Sequence, residues 1–269
     1  LAFRVVVDSR DKRTEFTPQF VKDAGAKGFM NKGKWSPYSD DSVFQKYYTK
    51  FVKALAKDFN DPSKVEFIDG FGLGKWGEYH TMIYSTGDDT PKKAVFDWVT
   101  DIYSQAFDKV PVVINYHRWI GAGKDWVDDE HFAADSEEML EEAIKKGYSL
   151  RHDAFGMTTY YGSWERRFAK KYRNICPIIM EGGWIVRGYR KDSHEDVRRG
   201  EFDDSKEAHV NMMDFRFGDT ESWFKDAFDL VRRFLREGGY RLYPSEISLP
   251  LEVSKKTTPT IKHCWNNLG

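Results

Sequence analysis

The chain has 269 residues, and 42 Lys and Arg against 43 Asp and Glu leave a formal net charge of -1. That balance argues against a general nucleic-acid binder, which carries a basic excess. A hydrophobic share of 40% excludes a disordered composition, no run of about 18 apolar residues offers a membrane span, and Cys176 and Cys264 form neither a disulfide framework nor a zinc-ligand spacing.

The elements follow in chain order. Leu1 to Val7 reads as a strand, and a chain that opens directly in it predicts a truncated or processed N-terminus. Residues 42–59 carry Phe44, Tyr48, Phe51, Val52, Leu55 and Phe59 on one helical stripe, with Asp40, Asp41 or Ser42 as N-cap. Val65 to Ile68 is the next strand and runs into a Gly-rich segment, 70–77. A helix over 91–107 and a buried-type strand, Val112 to Tyr116, come next. A helix over 136–146 has Asp135 or Ser136 as its cap. Leu150 to Thr159 reads as strand, 164–174 as a basic helix, Ile175 to Met180 as an apolar strand and His209 to Phe215 as another. The helix over 220–237 sets Phe224, Ala227, Phe228, Val231, Phe234 and Leu235 on one face.

Strands that alternate with helices imply parallel strands and crossover helices. A doubly wound sheet would carry a phosphate-binding Gly fingerprint after its first strand, and none is present. Aromatic and charged residues gather just after strands, where a (β/α)8 barrel builds its site. The expectation is an α/β chain: a (β/α)8 TIM barrel with six βα units visible and the first two missing upstream, over residues 1–238. After Gly238-Gly239 the pattern becomes short, alternating and Pro-punctuated. Residues 239–269 read as the beginning of a C-terminal β-sandwich.

Aromatic residues make up 16% of the chain. Many sit beside Gly, Asp and Glu in loop-like stretches such as Gly74 to His80, which suits sugar rings with apolar faces and polar rims. Glu78 and Glu181 each close a strand, the fourth and the seventh once two upstream strands are counted. A retaining glycosidase needs two carboxyl groups about 5–5.5 Å apart, and strands four and seven face each other across a barrel mouth. Asn115, Tyr116, His117, Arg118 and Trp119 follow strand five; Tyr160, Tyr161 and Trp164 follow strand six. The expected substrate-binding set is Trp76, His80, Asn115, His117, Arg118, Trp119, Tyr160 and Trp184, with Trp76, Trp119 and Trp184 as stacking platforms.

Arg4 in its strand, Thr17-Pro18-Gln19, and Phe67-Ile68-Asp69-Gly70 through Trp76-Gly77-Glu78-Tyr79-His80-Thr81 resemble an under-characterised family of barrel proteins with a W-G-E-[WY]-H-T signature. Gly239-Tyr240-Arg241, Ile247-Ser248-Leu249-Pro250 and Trp265 to Gly269 resemble the start of that family's β-sandwich. The family is similar to clan A glycoside hydrolases, especially the family 42 beta-galactosidases. The resemblance implies a galactosidase-like O-glycosyl hydrolase, with Glu78 as acid/base and Glu181 as nucleophile. One position departs from the clan: Gly77 stands where an Asn normally grips the sugar 2-hydroxyl.

The expected partner is a carbohydrate, with no nucleic acid, no cofactor and a secreted or periplasmic location. Lys34, Lys75, Arg118, Arg187, Arg190 and Lys191 recur in the same loops and make an anionic sugar, sulfated or uronic, one option. Two other classes compete. A barrel that binds glycans without cleaving them needs the aromatics but not the carboxyl pair. A metal-dependent barrel hydrolase would use His80, His117, His152, His209 and Asp214, although His152 starts its strand, which is the wrong end.

Overall fold

The computed structural model describes residues 1–10, 14–123, 130–156, 160–182, 194–214, 220–256 and 258–268. A six-stranded sheet is built from β1 (Ala2–Arg4), β4 (Phe67–Asp69), β5 (Val112–Asn115), β6 (Ser149–Phe155), β7 (Ile178–Gly182) and β8 (Met212–Asp214). Its order is β1-β4-β5-β6-β7-β8, and every neighbouring pair is parallel. The order never reverses, as a doubly wound sheet must. With right-handed crossovers, each connection therefore returns over the same face. The sheet curls around its other face, and the expected barrel-like wall is found to the extent of these six strands.

The helices line up along the outside: α2 (Ser42–Phe59), α3 (Lys92–Ala106), α4 (Glu130–Lys145), α5 (Ser163–Tyr172) and α6 (His194–Glu207). α2 packs on α3, α3 on α4, and α5 on α6. Asp41 caps α2 by accepting from Phe44 N at 2.9 Å, and Phe44, Tyr48 and Val52 turn inward as the stripe requires. They join Ile68, Val112, Ile114, Leu150, Ile178 and Met180 in one apolar core between sheet and helices.

Several boundaries differ from expectation. The helix expected from 136 begins at Glu130; Ser136 does not cap it, and its hydroxyl accepts instead from Ile120 N at 3.0 Å. β7 starts at Ile178, because Ile175 completes the turn that ends α5. His209 is a left-handed turn residue (φ 53°) before β8. The helix expected over 220–237 is broken at Ala227 into α7 (Thr220–Asp226) and α8 (Phe228–Glu237).

Three elements were not anticipated: α1 (Gln19–Asp23), α6, and a hairpin of β2 (Gly28–Asn31) and β3 (Lys34–Pro37). The hairpin turns on Lys32 (φ 48°) and Gly33 (φ 77°), the paired positive φ of a two-residue turn. At the far end, β9 (Leu242–Ser248) and β10 (Lys262–Asn267) form an antiparallel pair exposed along its length. Among the described residues no helix is long and apolar enough to cross a membrane.

Candidate active site

A strand covered on both faces reads as continuously apolar. These strands do not. Phe3, Ile68, Ile114, Leu150 and Met180 face the helices, and the alternate positions Arg4, Asp69, Asn115, Arg151 and Glu181 face the inside of the curl. Register supports the shared face, with Arg4 beside Asp69 and Asn115 beside Arg151. Buried charges must be paired, and here two arginines do the pairing.

Arg4 Nε donates to Asp69 Oδ2 at 2.8 Å and its Nη1 donates to Glu78 Oε1 at 2.7 Å, while Nη2 lies 3.6 Å from Glu181 Oε2. Arg151 Nε donates to the same Asp69 Oδ2 at 2.9 Å and its Nη1 to Glu181 Oε2 at 2.7 Å. Its Nη2 lies 3.8 Å from Glu78 Oε1. Glu78 and Glu181 thus share two arginine partners, and Arg4, Asp69 and Arg151 form a frame around them that was not among the expected site residues.

Glu181 lies near the end of β7, as expected. Glu78 does not close β4: it lies in the following loop, past a short 3₁₀ turn, Lys75–Gly77. That loop is strained. Trp76, Tyr79 and Thr81 all have positive φ, at 58°, 60° and 48°, a region that costs non-glycine residues free energy. Hydrogen bonds hold it in place: Arg4 Nη1 donates to Trp76 O at 3.2 Å, Tyr79 N to Leu73 O at 3.0 Å, and Gly121 N to Tyr79 O at 2.8 Å. Gly77 has φ 78°, and a Cβ there would lie 2.9 Å from Val5 O and 3.0 Å from Arg4 Cδ. A side chain at this position would therefore press on the β1 side of the loop.

The two site histidines serve Glu78. His117 Nε2 donates to the Glu78 backbone carbonyl at 2.8 Å, and its Nδ1 accepts from Trp119 N at 3.2 Å, which fixes the tautomer. His80 Nε2 lies 3.4 Å from Glu78 Oε2, and its Nδ1 is 2.9 Å from the Thr81 hydroxyl. A fourth acid completes the cluster. Asp153 on β6 is half-buried and shares a side-chain hydrogen bond with Glu78.

This packing separates the carboxyl groups electrostatically. Burial first, and the Asp153 charge second, push Glu78 up to about 8. Burial raises Asp69 to about 6 against the pull of Arg4. Burial is the largest influence on Asp153 and would raise it, but the hydrogen bond with Glu78 and the charges of His152, Arg4 and His80 together hold it below the usual carboxylate range. Arg4 is opposed by burial, and the charges of Asp69, Glu78 and Glu181 still carry it above its ordinary value. The cluster thus sets a carboxyl raised to about 8, Glu78, in the same arginine frame as Glu181 on β7.

The expected binding residues divide. Asn115 points inward and is buried; its Oδ1 has no hydrogen-bond partner among the described residues. Trp76 is half-buried at the loop, its ring edge-on to His80 at 5.7 Å with Lys75 Nζ 4.3 Å above it. Tyr160 is half-buried beyond β6. Arg118 is already committed: its Nη1 donates to both oxygens of fully buried Glu165, at 3.0 and 2.8 Å. Its guanidinium lies 3.8 Å over the Trp119 ring, and Trp119 is buried. Neither is placed as a sugar contact. Tyr161 and Trp164 are core residues, Tyr161 sharing a hydroxyl bond with Tyr116 and Trp164 stacked on Phe168. Trp184, Arg187, Arg190 and Lys191 lie outside the described residues.

Of the metal-ligand set, the His80 and His117 rings lie 5.8 Å apart beside Glu78. His152 packs among Tyr116, Phe155 and Tyr161, and burial pushes it down to about 3. His209 precedes β8, and the Asp214 side chain lies outside the described part. Among the described residues no group of three or more His, Cys, Asp or Glu side chains could hold a metal ion.

No family model matches the chain, and no curated protein matches it. Among solved structures it is similar to endo-glycoceramidase II from Rhodococcus sp. in its lactosyl-enzyme intermediate. The identity is 14%, the TM-score 0.35, and the match covers 65% of this chain and 40% of that one.

Proposed function

We propose that the chain is a carbohydrate-active barrel, a retaining O-glycosyl hydrolase related to clan A and galactosidase-like in its site. The observation that carries this reading is Arg4, one guanidinium in contact with both Glu78 and Glu181. Two carboxyl groups, one from the loop after β4 and one from β7, meet in one cluster, Glu78 protonated near neutral pH in this reading and Glu181 charge-paired and more open to solvent.

In the first step Glu78 gives its proton to the glycosidic oxygen as the Glu181 carboxylate attacks the anomeric carbon. The C–O bond breaks, the aglycone leaves as an alcohol and a glycosyl ester forms on Glu181. In the second step the Glu78 carboxylate takes a proton from water, and that water displaces Glu181 and releases the sugar. Among the cluster's named groups, carboxyls outnumber guanidiniums, which favours the positive charge that develops on the ring.

The substrate-facing groups in this reading are Trp76, Asn115 and Tyr160. An anionic sugar remains part of the proposal through Lys75 and the basic residues after β7. So do a secreted or periplasmic location and a division into a barrel over 1–238 and the opening of a β-sandwich over 239–269. A glycan-binding barrel without turnover is the second reading, favoured by Gly77 in place of Asn.

The test is turnover of aryl β-galactosides and oligosaccharides. Glu78→Gln and Glu181→Gln are each expected to lower kcat by several orders of magnitude. Azide is expected to restore part of the activity of Glu181→Ala by standing in for the nucleophile. Near-normal turnover in both Gln variants ends the assignment, and binding without cleavage by the parent hands the chain to the second reading.

A further inference from the structure

We propose that Arg10 is a positioning residue for Glu78, a second arginine clamp on the loop that carries the acid, acting through Thr81 and His80. Arg4 holds the near end of that loop by donating from Nη1 to the Trp76 carbonyl at 3.2 Å. Arg10, further along the chain from β1, holds the far end: its Nη2 donates to the Thr81 carbonyl at 2.5 Å. Glu78 and His80 lie between the two clamps. The use of this clamp in catalysis rests on the glycosidase reading; its contacts do not.

Arg10 is itself fixed. Its side chain is 8% exposed, its Nε donates to Asp8 Oδ2 at 2.7 Å and its backbone N–H donates to Asp8 Oδ1 at 2.9 Å. Asp8 also accepts from the Ser36 hydroxyl of β3 at 3.4 Å, and the Arg10 guanidinium lies 5.6 Å from the centre of the Phe29 ring of β2. The β2–β3 hairpin therefore closes over the ion pair. A guanidinium carries its donors in a rigid fork, so fixing Nε on Asp8 also fixes where Nη2 can point.

The far end of the loop needs holding. Tyr79 and Thr81 have left-handed φ values of 60° and 48°, and such residues persist only where their surroundings over-determine them. With its carbonyl pinned by Arg10, Thr81 presents its hydroxyl to His80 Nδ1 at 2.9 Å, and the other ring nitrogen, Nε2, lies 3.4 Å from Glu78 Oε2. Arg4 Nη1 takes Glu78 Oε1 at 2.7 Å. One arginine thus orients the acid directly and the other orients it through two side chains, so each carboxyl oxygen has a fixed neighbour. A general acid must sit within hydrogen-bond reach of the oxygen it protonates, and a displacement of about 1 Å costs about 100-fold in rate.

The experiment compares kcat/KM for phenyl β-galactoside, whose leaving group needs a proton, with that for 2,4-dinitrophenyl β-galactoside, whose leaving group does not. Arg10→Met is expected to lower the first about 100-fold. It is expected to lower the second by less than about threefold, because Glu181 is held by Arg151 and still attacks. Arg10→Lys, which can still donate to the Thr81 carbonyl, is expected to recover part of the loss. Thr81→Val keeps the shape of its side chain but removes the hydroxyl. It is expected to lose activity with the same substrate preference, and to add little to Arg10→Met in the double variant. It also carries the test if Arg10→Met does not fold. Equal losses on the two substrates in a folded variant, or none on either, overturn the proposal, as do fully multiplicative losses in the double variant.

Nitrogen NMR of protein labelled at its histidine rings tests the contacts without a substrate, with His80→Gln used to assign the His80 signals. In Arg10→Met and in Thr81→Val the His80 Nδ1 signal is expected to move. The His152 signals, from a ring packed among Tyr116, Phe155 and Tyr161, are expected to stay in place. An unmoved His80 signal in a folded variant overturns the proposal. If the parent cleaves neither substrate and the His80 signal moves as expected, the glycosidase reading fails and the clamp stands.

Discussion

Arg151 donates to Glu181 from Nη1 at 2.7 Å across adjacent parallel strands, and its Nε is spent on Asp69 at 2.9 Å. The guanidinium therefore fixes the direction of the Glu181 carboxylate while being fixed itself.

Arg151→Met is expected to destabilise the fold strongly. It leaves Asp69, whose side chain is 4% exposed, with Arg4 alone, and leaves Glu181 without its shortest ion pair. Breaking a buried pair from one side costs about 3–5 kcal/mol. Chemical denaturation of parent and variant checks this, and a change under about 1 kcal/mol would show that the frame is held by something else.

Stability is expected to fall as pH rises from 5 to 8, and less steeply in Glu78→Gln. The folded Glu78 is raised to about 8 from an ordinary 4.5. Between those values the folded state holds a proton that the unfolded chain has released, so raising the pH costs stability. The contribution is complete below the ordinary value and gone above about 8. Asp69, raised from 3.8 to about 6, acts with the same sign over a lower window. Melting temperatures in half-unit steps test it, and parallel curves for parent and variant would refute it.

Gly77→Ala is expected to lower both stability and turnover. The left-handed φ of 78° costs a side chain about 1–2 kcal/mol, and its Cβ meets the Val5 carbonyl at 2.9 Å and Arg4 Cδ at 3.0 Å. Gly77→Asn is expected to be worse in stability, because its longer side chain starts from the same clash and Val5 O is backbone that cannot swing aside. A stable, more active Asn variant would contradict this account.

Glu165→Ala is expected to cost about 3–5 kcal/mol without altering the affinity of sulfated over neutral sugars. Glu165 is fully buried, holds Arg118 through both oxygens and accepts from Gly162 N at the start of α5 at 2.9 Å. If Arg118 were a sugar contact, Arg118→Met would weaken sulfated ligands selectively. The prediction is a loss of melting temperature with the selectivity of the parent.

The alternation of strands and helices was legible because the apolar positions repeat on the right periods, as on α2, where Phe44, Tyr48 and Val52 are the buried residues. α6 escaped because its inward face is largely polar: Arg198, Glu201, Asp204 and Ser205 are buried with Val197 and Phe202, so no hydrophobic stripe marks it. The hairpin had its signal in Lys32-Gly33 and was passed over. Glu78 and Glu181 stood out beside Gly and Trp. Arg4, Asp69, Arg151 and Asp153 did not, although a charge at an inward position of an otherwise apolar strand is itself the clue. Arg118 and Trp119 turned elsewhere because position after a strand says nothing of which way a side chain points; Arg118 is held by Glu165, and its guanidinium lies over the Trp119 ring.

The strictly sequential strand order has a consequence for how the chain folds. Arg4 meets Asp69 over a separation of 65 residues, and Arg151 reaches the same oxygen over 82. A partial sheet of β1, β4 and β5 encloses Asp69 and Glu78 with a single arginine, and the second arrives only with β6. Such an intermediate buries uncompensated charge, which disfavours stopping there. The long-range contacts slow the search, and the charge network makes its later stages cooperative, so the inner strands are expected to exchange their amide hydrogens as one unit.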